Sequence, residues 1–357
     1  MTFITLDDFE AAARDILPKV SYDYLAGGSD DELTLRDNRA SFQRWRLRPR
    51  ILAGVGQRDL STTVLGHLLD FPLILAPTAM HQLAHPDGEL ATSRAAGEAG
   101  ILFCASTFAN YSMEDIAAVA TGPRWFQLYC YKDRGLTESL VDRAVAAGYQ
   151  AIILTADAPL VGFRQRDVRN GFAPPPGVSL RNFETTSNRE MKRTAGSSLA
   201  TYVSALTDPN LTWADVDWLV GKAKMPVIVK GVLAPEDAIL AAEHGAAGVI
   251  VSNHGGRQLD GAIAAIDALP EIVEAAGNRL TILADGGVRR GTDMLKLLAL
   301  GAQAVLIGRP VQWGLAVNGQ AGVKSVLDLL RTEFDIAMAL AGCASVSTIT
   351  HDLVVHQ

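Results

Sequence analysis

The segment from Ser252 to Asp260, with the sequence SNHGGRQLD, combines a side chain suited to acid–base chemistry with one suited to binding an anion. The imidazole of His254 can exchange a proton near neutral pH. The guanidinium of Arg257 can hold a carboxylate through two parallel hydrogen bonds. A second arginine, Arg164, and an aspartate, Asp157, lie near the end of another apolar run. Although a lone histidine on a strand is more often structural, this set predicts an anionic substrate that reacts at His254, with Asp157 orienting the imidazole.

Each of eight short apolar runs in the sequence ends on residues that could bind a ligand. These residues are Thr78, Ser106, Gln127 with Tyr129, Thr155 with Asp157, Lys230, Ser252 with His254, Asp285, and Gly308 with Arg309. Polar groups at the ends of buried strands are costly unless they find a partner. One or two of them could cap a following helix. Because lysine, histidine and arginine are poor caps, the eight ends together favour one shared site.

Two glycine-rich loops follow the seventh and eighth runs and are typical of a phosphate site in a barrel. In such loops glycines let backbone amides approach the phosphate, a helix N-terminus offers donors, and arginine adds charge. An ordinary turn with solvated arginines is the alternative interpretation. The residues predicted to bind phosphate or the chain attached to it are Asp285, Gly286, Gly287, Arg289, Gly308 and Arg309.

Lys230 indicates whether that phosphate belongs to a substrate or to a cofactor. A lysine buried in the mouth of the fold requires a counter-charge. A reduced flavin carries negative charge near its N1 atom and its C2 oxygen and would supply it. The alternative is a lysine that forms a Schiff base with a carbonyl substrate.

The eight runs are the elements that must position these residues. They are rich in Ile, Val, Leu and aromatic residues, as expected for strands buried on both faces, and helical patterns lie between them. Strand and helix repeated eight times predict an α/β fold, the (β/α)8 or TIM barrel. A doubly wound open sheet is the rival, but its usual nucleotide-binding loops, GxGxxG and GxxxxGK(S/T), are missing. The runs are Pro72–Thr78, Ile101–Ser106, Trp125–Tyr129, Ala151–Asp157, Pro226–Lys230, Gly248–His254, Thr281–Asp285 and Ala304–Arg309.

The spacing of the runs predicts a single domain over residues 1–357, with the barrel at about 71–330. About 70 residues separate the fourth run from the fifth. The polar stretch within this gap, at about 170–215, is typical of a lid or a disordered flap. We expect the first 70 residues to form helices and a small hairpin at one end of the barrel, and the tail after Val311 to be helical.

The composition excludes several classes of protein. With 48% hydrophobic residues the chain can bury a large core, and its formal charge of −7 argues against a nucleic-acid binder. Three cysteines without a CxxC pair favour a reducing, cytoplasmic setting rather than a disulfide framework. We find neither a basic leader nor an apolar run of about 18 residues, so no contact with a membrane is predicted. No metal site is predicted.

The motifs resemble those of the FMN-dependent L-2-hydroxy acid oxidase and dehydrogenase family, which includes glycolate oxidase, lactate oxidase, hydroxymandelate oxidase and the flavin domain of yeast lactate dehydrogenase. The resemblance covers nearly the whole chain, and the SNHGGRQ stretch is its most specific part. The matching segments are Tyr22–Tyr24, Arg48–Arg50, Ala76–Met80, His85–Glu89, Gln127–Tyr129, Lys230–Gly231, Ser252–Gln258 and Asp285–Gly291.

The resemblance implies FMN as the cofactor and a role for each matching residue. His254 matches the base and Asp157 its partner, while Arg164 and Arg257 match the pair that binds the substrate carboxylate. Tyr24 and Tyr129 match hydroxyls that contact the carboxylate and the reacting oxygen, and Lys230 matches the cation beside flavin N1. The family's phosphate site falls on the two loops predicted above. Positions that line the flavin ring and ribityl chain match Pro77, Thr78, Ala79, Ser106, Gln127, Tyr129, Thr155 and Ser252.

The implied reaction converts a 2-hydroxy acid into a 2-oxo acid, after which O2 reoxidises the flavin and yields hydrogen peroxide. Hydride transfer and carbanion formation at His254 are both open. Glycolate oxidases have tryptophan where this chain has Phe108, and leucine where it has Val161. We therefore expect a substrate larger than glycolate: lactate, a longer aliphatic hydroxy acid or mandelate. Ala79 favours an oxidase, because the related lactate monooxygenases carry glycine there.

Two other functions fit parts of the sequence. A dehydrogenase would pass electrons to a quinone or cytochrome, but the membrane-bound mandelate dehydrogenases carry an apolar anchor where this excursion is polar. A flavin-binding regulatory protein would need a broken acid–base set, yet His254, Asp157, Arg164 and Arg257 are all present. The resemblance also implies a homotetramer.

Overall fold

The computed structural model describes residues 3–183 and 191–357. The chain begins with three helices, a short strand and a hairpin: α1 (Leu6–Ile16), α2 (Lys19–Ala26), α3 (Leu33–Ala40), β1 (Trp45–Leu47), β2 (Thr62–Val64) and β3 (His67–Leu69). The side chain of Thr5 caps α1 by accepting a hydrogen bond from Asp8 N. The hairpin turns at Leu65 and Gly66, which both have positive φ.

Eight parallel strands then close into a barrel in chain order, and the last of them pairs with the first. This closed sheet confirms the predicted (β/α)8 fold. The strands are β4 (Leu73–Leu75), β5 (Leu102–Ala105), β6 (Arg124–Leu128), β7 (Ile152–Thr155), β8 (Val227–Val232), β9 (Gly248–Val251), β10 (Thr281–Ala284) and β11 (Ala304–Ile307). Seven of them are four or more residues long, and most of their residues are buried, in keeping with strands covered on both faces.

Helices connect successive strands and cover the outside of the barrel. They are α4 (Gly88–Glu98), α5 (Met113–Val119), α6 (Arg134–Ala146), α7 (Gln165–Arg169), α8 (Ser198–Leu206), α9 (Trp213–Ala223), α10 (Pro235–Glu243), α11 (Ala265–Ala276), α12 (Gly291–Ala299) and α13 (Arg309–Ala341). The helical tail is confirmed, although α13 is interrupted at Asn318 and Gly319, which have non-helical φ and ψ. A last strand, β12 (Val354–His356), pairs with β1.

The N-terminal segment divides between the two ends of the barrel, so the expectation that it lies at one end was wrong. Val64 and Leu69 of the hairpin belong to the apolar cluster inside the barrel, together with Trp125 and Ile153. The hairpin therefore closes the end where the strands begin. The helix α2 instead lies at the opposite end. Its residues Tyr24 and Leu25 line the cavity at the strand ends that carry the polar residues.

The long connection between β7 and β8 is largely folded where the structure describes it; residues 184–190 of the predicted lid lie outside the described part. The helix α8 is held at its start by a hydrogen bond from Ser198 N to Phe172 O (2.8 Å). Its end is capped by Lys132 Nζ, which donates to the carbonyls of Ser204 and Ala205. Among the residues described, no helix is both long enough and apolar enough to cross a membrane.

Candidate active site

A cavity opens at the carboxyl ends of the barrel strands, where barrels of this type carry their chemistry. Most of the predicted site residues line it, including all six of the two glycine-rich loops. Two predicted residues, Asp157 and Ser252, do not line the cavity but stand behind residues that do. Seven of the eight predicted runs overshoot their strands, because the chain leaves the strand before Asp157, His254 and Arg309 and thereby brings these side chains to the mouth; the fifth run instead ends at Lys230, two residues before the end of β8.

His254 is held in an unusual backbone conformation with its imidazole fixed by a carboxylate. Its φ is +58°, and the two following glycines, Gly255 and Gly256, have φ of +64° and +72°. Its Nδ1 lies 2.9 Å from Asp157 Oδ1, and its backbone N donates to Ser252 Oγ. A carboxylate at this distance keeps the proton on Nδ1, so Nε2 is the basic nitrogen available to a substrate.

The electrostatics of this pair favour a neutral base beside a charged carboxylate. Burial lowers the pKa of His254, and the charge of Asp157 raises it only in part. For Asp157, burial raises the pKa, but the charge and hydrogen bond of His254 and the charge of Lys230 bring it below its usual value. The imidazole can therefore accept a proton near neutral pH, and the carboxylate can stabilise the imidazolium that results.

Gln258 is a positioning residue of this loop that the sequence analysis did not assign. Its Nε2 donates to the carbonyls of Asp157 and Leu160, and its Oε1 accepts from Gly162 N. One side chain thus joins the loop that follows β7 to the loop that follows β9. Its place in the SNHGGRQ motif was the available signal.

Arg164 and Arg257 lie at the same cavity and have no carboxylate partner among the described residues. Arg257 Nη1 donates to the carbonyls of Tyr24 and Gly27, and its guanidinium carbon lies 5.0 Å from the centre of the Tyr24 ring. Burial and the charge of Arg257 lower the pKa of Arg164 to about 10, and its Nε has no partner among the described residues. Neither arginine forms a salt bridge with a described carboxylate, so the pair is suited to an anionic ligand.

Aromatic and aliphatic side chains form the rest of the wall. The Phe108 ring lies 5.2 Å from that of Tyr129, and the Tyr24 ring stacks on Phe172 at 4.3 Å. Burial raises the pKa of Tyr129. Val161 lines the cavity as predicted, and α8 adds three residues that were not predicted: Leu199, Ala200 and Val203. Their spacing along a helix was the only sequence signal for them.

The strand ends opposite His254 form a connected set of polar groups. Gln127 donates from Nε2 to Thr155 Oγ1 (2.9 Å) and accepts from the hydroxyl of Ser106 (3.3 Å). Lys230 Nζ donates to Ser252 Oγ (2.9 Å) and lies 3.5 Å from Asp285 Oδ2. The counter-charge that a buried lysine requires is thus supplied in part by Asp285.

The glycine-rich loops form a cradle whose bonding is incomplete. Gly286 and Gly287 have φ of +98° and +77°, and a Cβ on Gly287 would lie 1.8 Å from Asn38 O. Arg309 donates to three backbone carbonyls, and burial, with the charges of other arginines, lowers its pKa to about 9. Arg289 Nε and Asp285 Oδ1 are buried without a partner among the described residues.

These unsatisfied groups fit FMN. A cradle of glycines, two partly buried arginines and backbone amides suits a phosphate. An unpartnered carboxylate oxygen next to it suits the hydroxyls of a ribityl chain, and the polar strand ends suit the edge of a flavin ring. A barrel that ends in such a cradle beside an acid–base pair defines a flavin-dependent enzyme acting on an anionic substrate.

Comparison with known proteins identifies the family. The profile of the FMN-dependent dehydrogenase family matches residues 13–356, so the chain belongs to this family and uses FMN. It is 51% identical to an L-lactate oxidase of Nostoc sp. over 97% of this chain and 96% of that protein. It is 50% identical to glycolate oxidase 1 of Zea mays, over 98% and 94%.

Solved structures agree with this assignment. A crystal structure of mandelate oxidase with (S)-4-hydroxymandelic acid superposes with a TM-score of 0.95, at 44% identity and 99% coverage of both chains. Together these relatives show that the chain is an FMN-dependent enzyme of the 2-hydroxy acid oxidase class, as the motifs predicted.

Proposed function

We propose that this protein oxidises an L-2-hydroxy acid larger than glycolate to the 2-oxo acid and passes the electrons to O2, forming hydrogen peroxide. The observation that carries the proposal is the His254–Asp157 pair: its imidazole faces a cavity with two arginines that have no carboxylate partner in the described part of the chain. The relatives support the chemistry, since they are named lactate, glycolate and mandelate oxidases.

Each side chain has one task in this proposal. Arg164 and Arg257 bind the substrate carboxylate, and Tyr24 adds a hydroxyl to the same group. Tyr129 binds the reacting oxygen, and its raised pKa keeps it a hydrogen-bond donor. His254 Nε2 takes the proton that the substrate gives up, and Asp157 stabilises the imidazolium.

When bound, FMN would supply the redox chemistry, as acceptor of the two substrate electrons and their donor to O2. Asp285, Gly286, Gly287, Arg289, Gly308 and Arg309 would hold its phosphate and ribityl chain. Pro77, Thr78, Ala79, Ser106, Gln127, Thr155 and Lys230 would line its ring. Ser252 would position two residues that line the cavity, since its hydroxyl oxygen accepts hydrogen bonds from Lys230 Nζ and from the backbone N of His254.

The preference for a larger substrate rests on the wall next to Tyr129. Phe108 and Val161 line the cavity there and are smaller than the tryptophan and leucine of glycolate oxidases, and the face of α8 that carries Ala200 and Val203 is apolar. Each substrate methylene buried against such a wall contributes about 0.8 kcal/mol. We therefore propose lactate, a longer aliphatic hydroxy acid or mandelate as the substrate.

An anaerobic bleaching screen tests this proposal. Glycolate, L-lactate, L-2-hydroxyoctanoate and (S)-mandelate are mixed with the holoenzyme, and the rate of flavin bleaching is compared at equal concentration. The larger acids are expected to bleach faster than glycolate, and air is then expected to restore the flavin with one peroxide per turnover. A reduced enzyme that stays inert to O2 would identify a dehydrogenase, and an enzyme that no acid bleaches would contradict catalysis.

We also propose that the protein is a cytoplasmic homotetramer. The three cysteines are free and buried, which suits a reducing compartment. Leu160, Phe163 and Leu259 are exposed by 63%, 58% and 75% on loops that Gln258 joins, so they can form one apolar interface. Light scattering of the wild type and of Leu259→Glu tests the proposed tetramer, because the charged variant is expected to dissociate.

A further inference from the structure

Gln312 is a buried polar residue of the cavity that none of the roles above uses. It lies in the first turn of α13 and lines the cavity together with Thr78 and Gly308. The residue is 1% exposed, and its Nε2 donates to Thr78 Oγ1 over 2.9 Å. Its Oε1 is buried and has no hydrogen-bond partner among the described residues. A buried amide oxygen without a donor is costly, so its partner is expected to be a ligand.

A chain of hydrogen bonds fixes which end of the Gln312 amide faces Thr78. With the hydroxyl of Thr92 donating to Gly88 O, 3.3 Å away, Thr92 Oγ1 accepts from His81 Nδ1, 2.9 Å away. That tautomer leaves His81 Nε2 without a proton, and the Thr78 hydroxyl, at 2.7 Å, donates to it. Having given its only proton, Thr78 can accept only from the NH2 group of Gln312. The amide oxygen of Gln312 is therefore turned away from Thr78.

The imidazole in the middle of this chain is neutral and held in place. Burial lowers the pKa of His81 to about 3, so the ring carries one proton throughout the neutral range. Its backbone N donates to Glu89 Oε1 over 3.1 Å, and the same oxygen accepts from Asn110 N. Because the ring cannot take a second proton near pH 7, the direction of the hydrogen bonds does not reverse there.

We propose that Gln312 binds the cofactor: its Oε1 accepts a hydrogen bond from a donor group of FMN, and Thr78 with His81 are positioning residues that hold the amide in this orientation. The inference rests on FMN as the cofactor, which family membership establishes, and not on the substrate proposed above. It adds a polar contact from α13 to those that the strand ends supply.

The test measures FMN affinity, through the flavin fluorescence that appears when the purified holoenzyme is diluted. Gln312→Leu is expected to raise the dissociation constant of FMN about five- to tenfold, as the loss of one hydrogen bond would do. Gln320→Leu is the matched control, because this glutamine lies on the same helix and donates to Glu98 instead. Thr78→Val removes the hydroxyl that holds the amide and is expected to raise the constant about two- to threefold.

An FMN dissociation constant in Gln312→Leu equal to that of the control would overturn the proposal. An unchanged constant in Thr78→Val would remove the positioning role of Thr78 and His81. If the leucine variant does not fold, Gln312→Met replaces it, since methionine keeps the length of the side chain without the amide oxygen. Because FMN affinity is measured without substrate, a failed substrate screen leaves this test unaffected.

Discussion

Replacing Asp157 with asparagine would remove the negative charge beside His254 while keeping the orientation of the imidazole. The amide oxygen can occupy the position of Oδ1 and accept the Nδ1 proton of His254, so the ring keeps its orientation. The NH2 group takes the place of Oδ2, which is buried and has no partner among the described residues, so no hydrogen bond of the wild type is lost at this atom. The negative charge beside the imidazole is lost.

The size of the effect on the rate depends on the protonation state of His254. While His254 is neutral, Asp157 contributes an ordinary hydrogen bond, but once the ring takes a proton the pair becomes an ion pair. A charge-assisted hydrogen bond contributes about 1.5–3 kcal/mol, and two charges about 4 Å apart attract by about 4 kcal/mol at an effective dielectric constant of about 20. Losing about 2–4 kcal/mol from the transition state slows flavin reduction about 30- to 1000-fold.

Anaerobic stopped-flow absorbance is the appropriate assay. The limiting rate of flavin bleaching in Asp157→Asn is expected to fall by this factor, while the substrate dissociation constant changes less than about threefold, because Arg164 and Arg257 are untouched. Asp142→Asn, at an exposed carboxylate that pairs with Lys222, serves as the control.

The pH profile of the same variant supplies a second readout. His254 must be neutral to take a proton, so the rate is lost as pH falls through its pKa. Because Asp157 raises that pKa, the acidic limb of Asp157→Asn is expected at lower pH than in the wild type. A limiting rate within threefold of the wild type, or an acidic limb that does not move, would refute the charge-stabilising role of Asp157.

Three further predictions concern the substrate pocket and Glu89, the buried acid that accepts a hydrogen bond from the backbone N of His81. Arg257→Met is expected to weaken substrate binding about 10- to 100-fold, measured as the dissociation constant in anaerobic titration, with FMN retained. Phe108→Trp is expected to lower kcat/KM for mandelate at least about tenfold relative to glycolate, and equal losses for both would contradict a wall at Phe108. Burial raises the pKa of Glu89 to about 7 from an ordinary value near 4.5, so its ionised form opposes folding above pH 7 and the penalty vanishes below 4.5. In urea titrations Glu89→Gln should therefore gain stability relative to the wild type by up to about 1.4 kcal/mol per pH unit between 4.5 and 7, and a constant difference would contradict this.

The barrel could be predicted from the sequence because its pattern is local. Each strand is a short apolar run, and a polar residue at its end or directly after it, such as Thr155 or Asp285, marks where the chain leaves the barrel. The strand boundaries were less well predicted, since the pattern continues into loop residues such as His254. The positions of α2 and the hairpin at opposite ends could not be predicted, because they depend on contacts such as that of Val64 with the barrel interior.

The loop at His254 shows why some residues of the site could be predicted from the sequence and others could not. With three successive residues at positive φ, the loop closes only if the second and third lack a Cβ: one on Gly255 would lie 2.9 Å from Arg309 Nη1, and one on Gly256 would lie 2.5 Å from Leu35 N. This requirement fixes adjacent residue types, so it appears as a contiguous motif. The Gln312–Thr78 bond joins residues 234 positions apart and needs no particular neighbour in the chain. Such a contact becomes visible only when the fold brings both residues to one cavity, so Gln312, which lies outside every matching motif, could not be connected with FMN from the sequence.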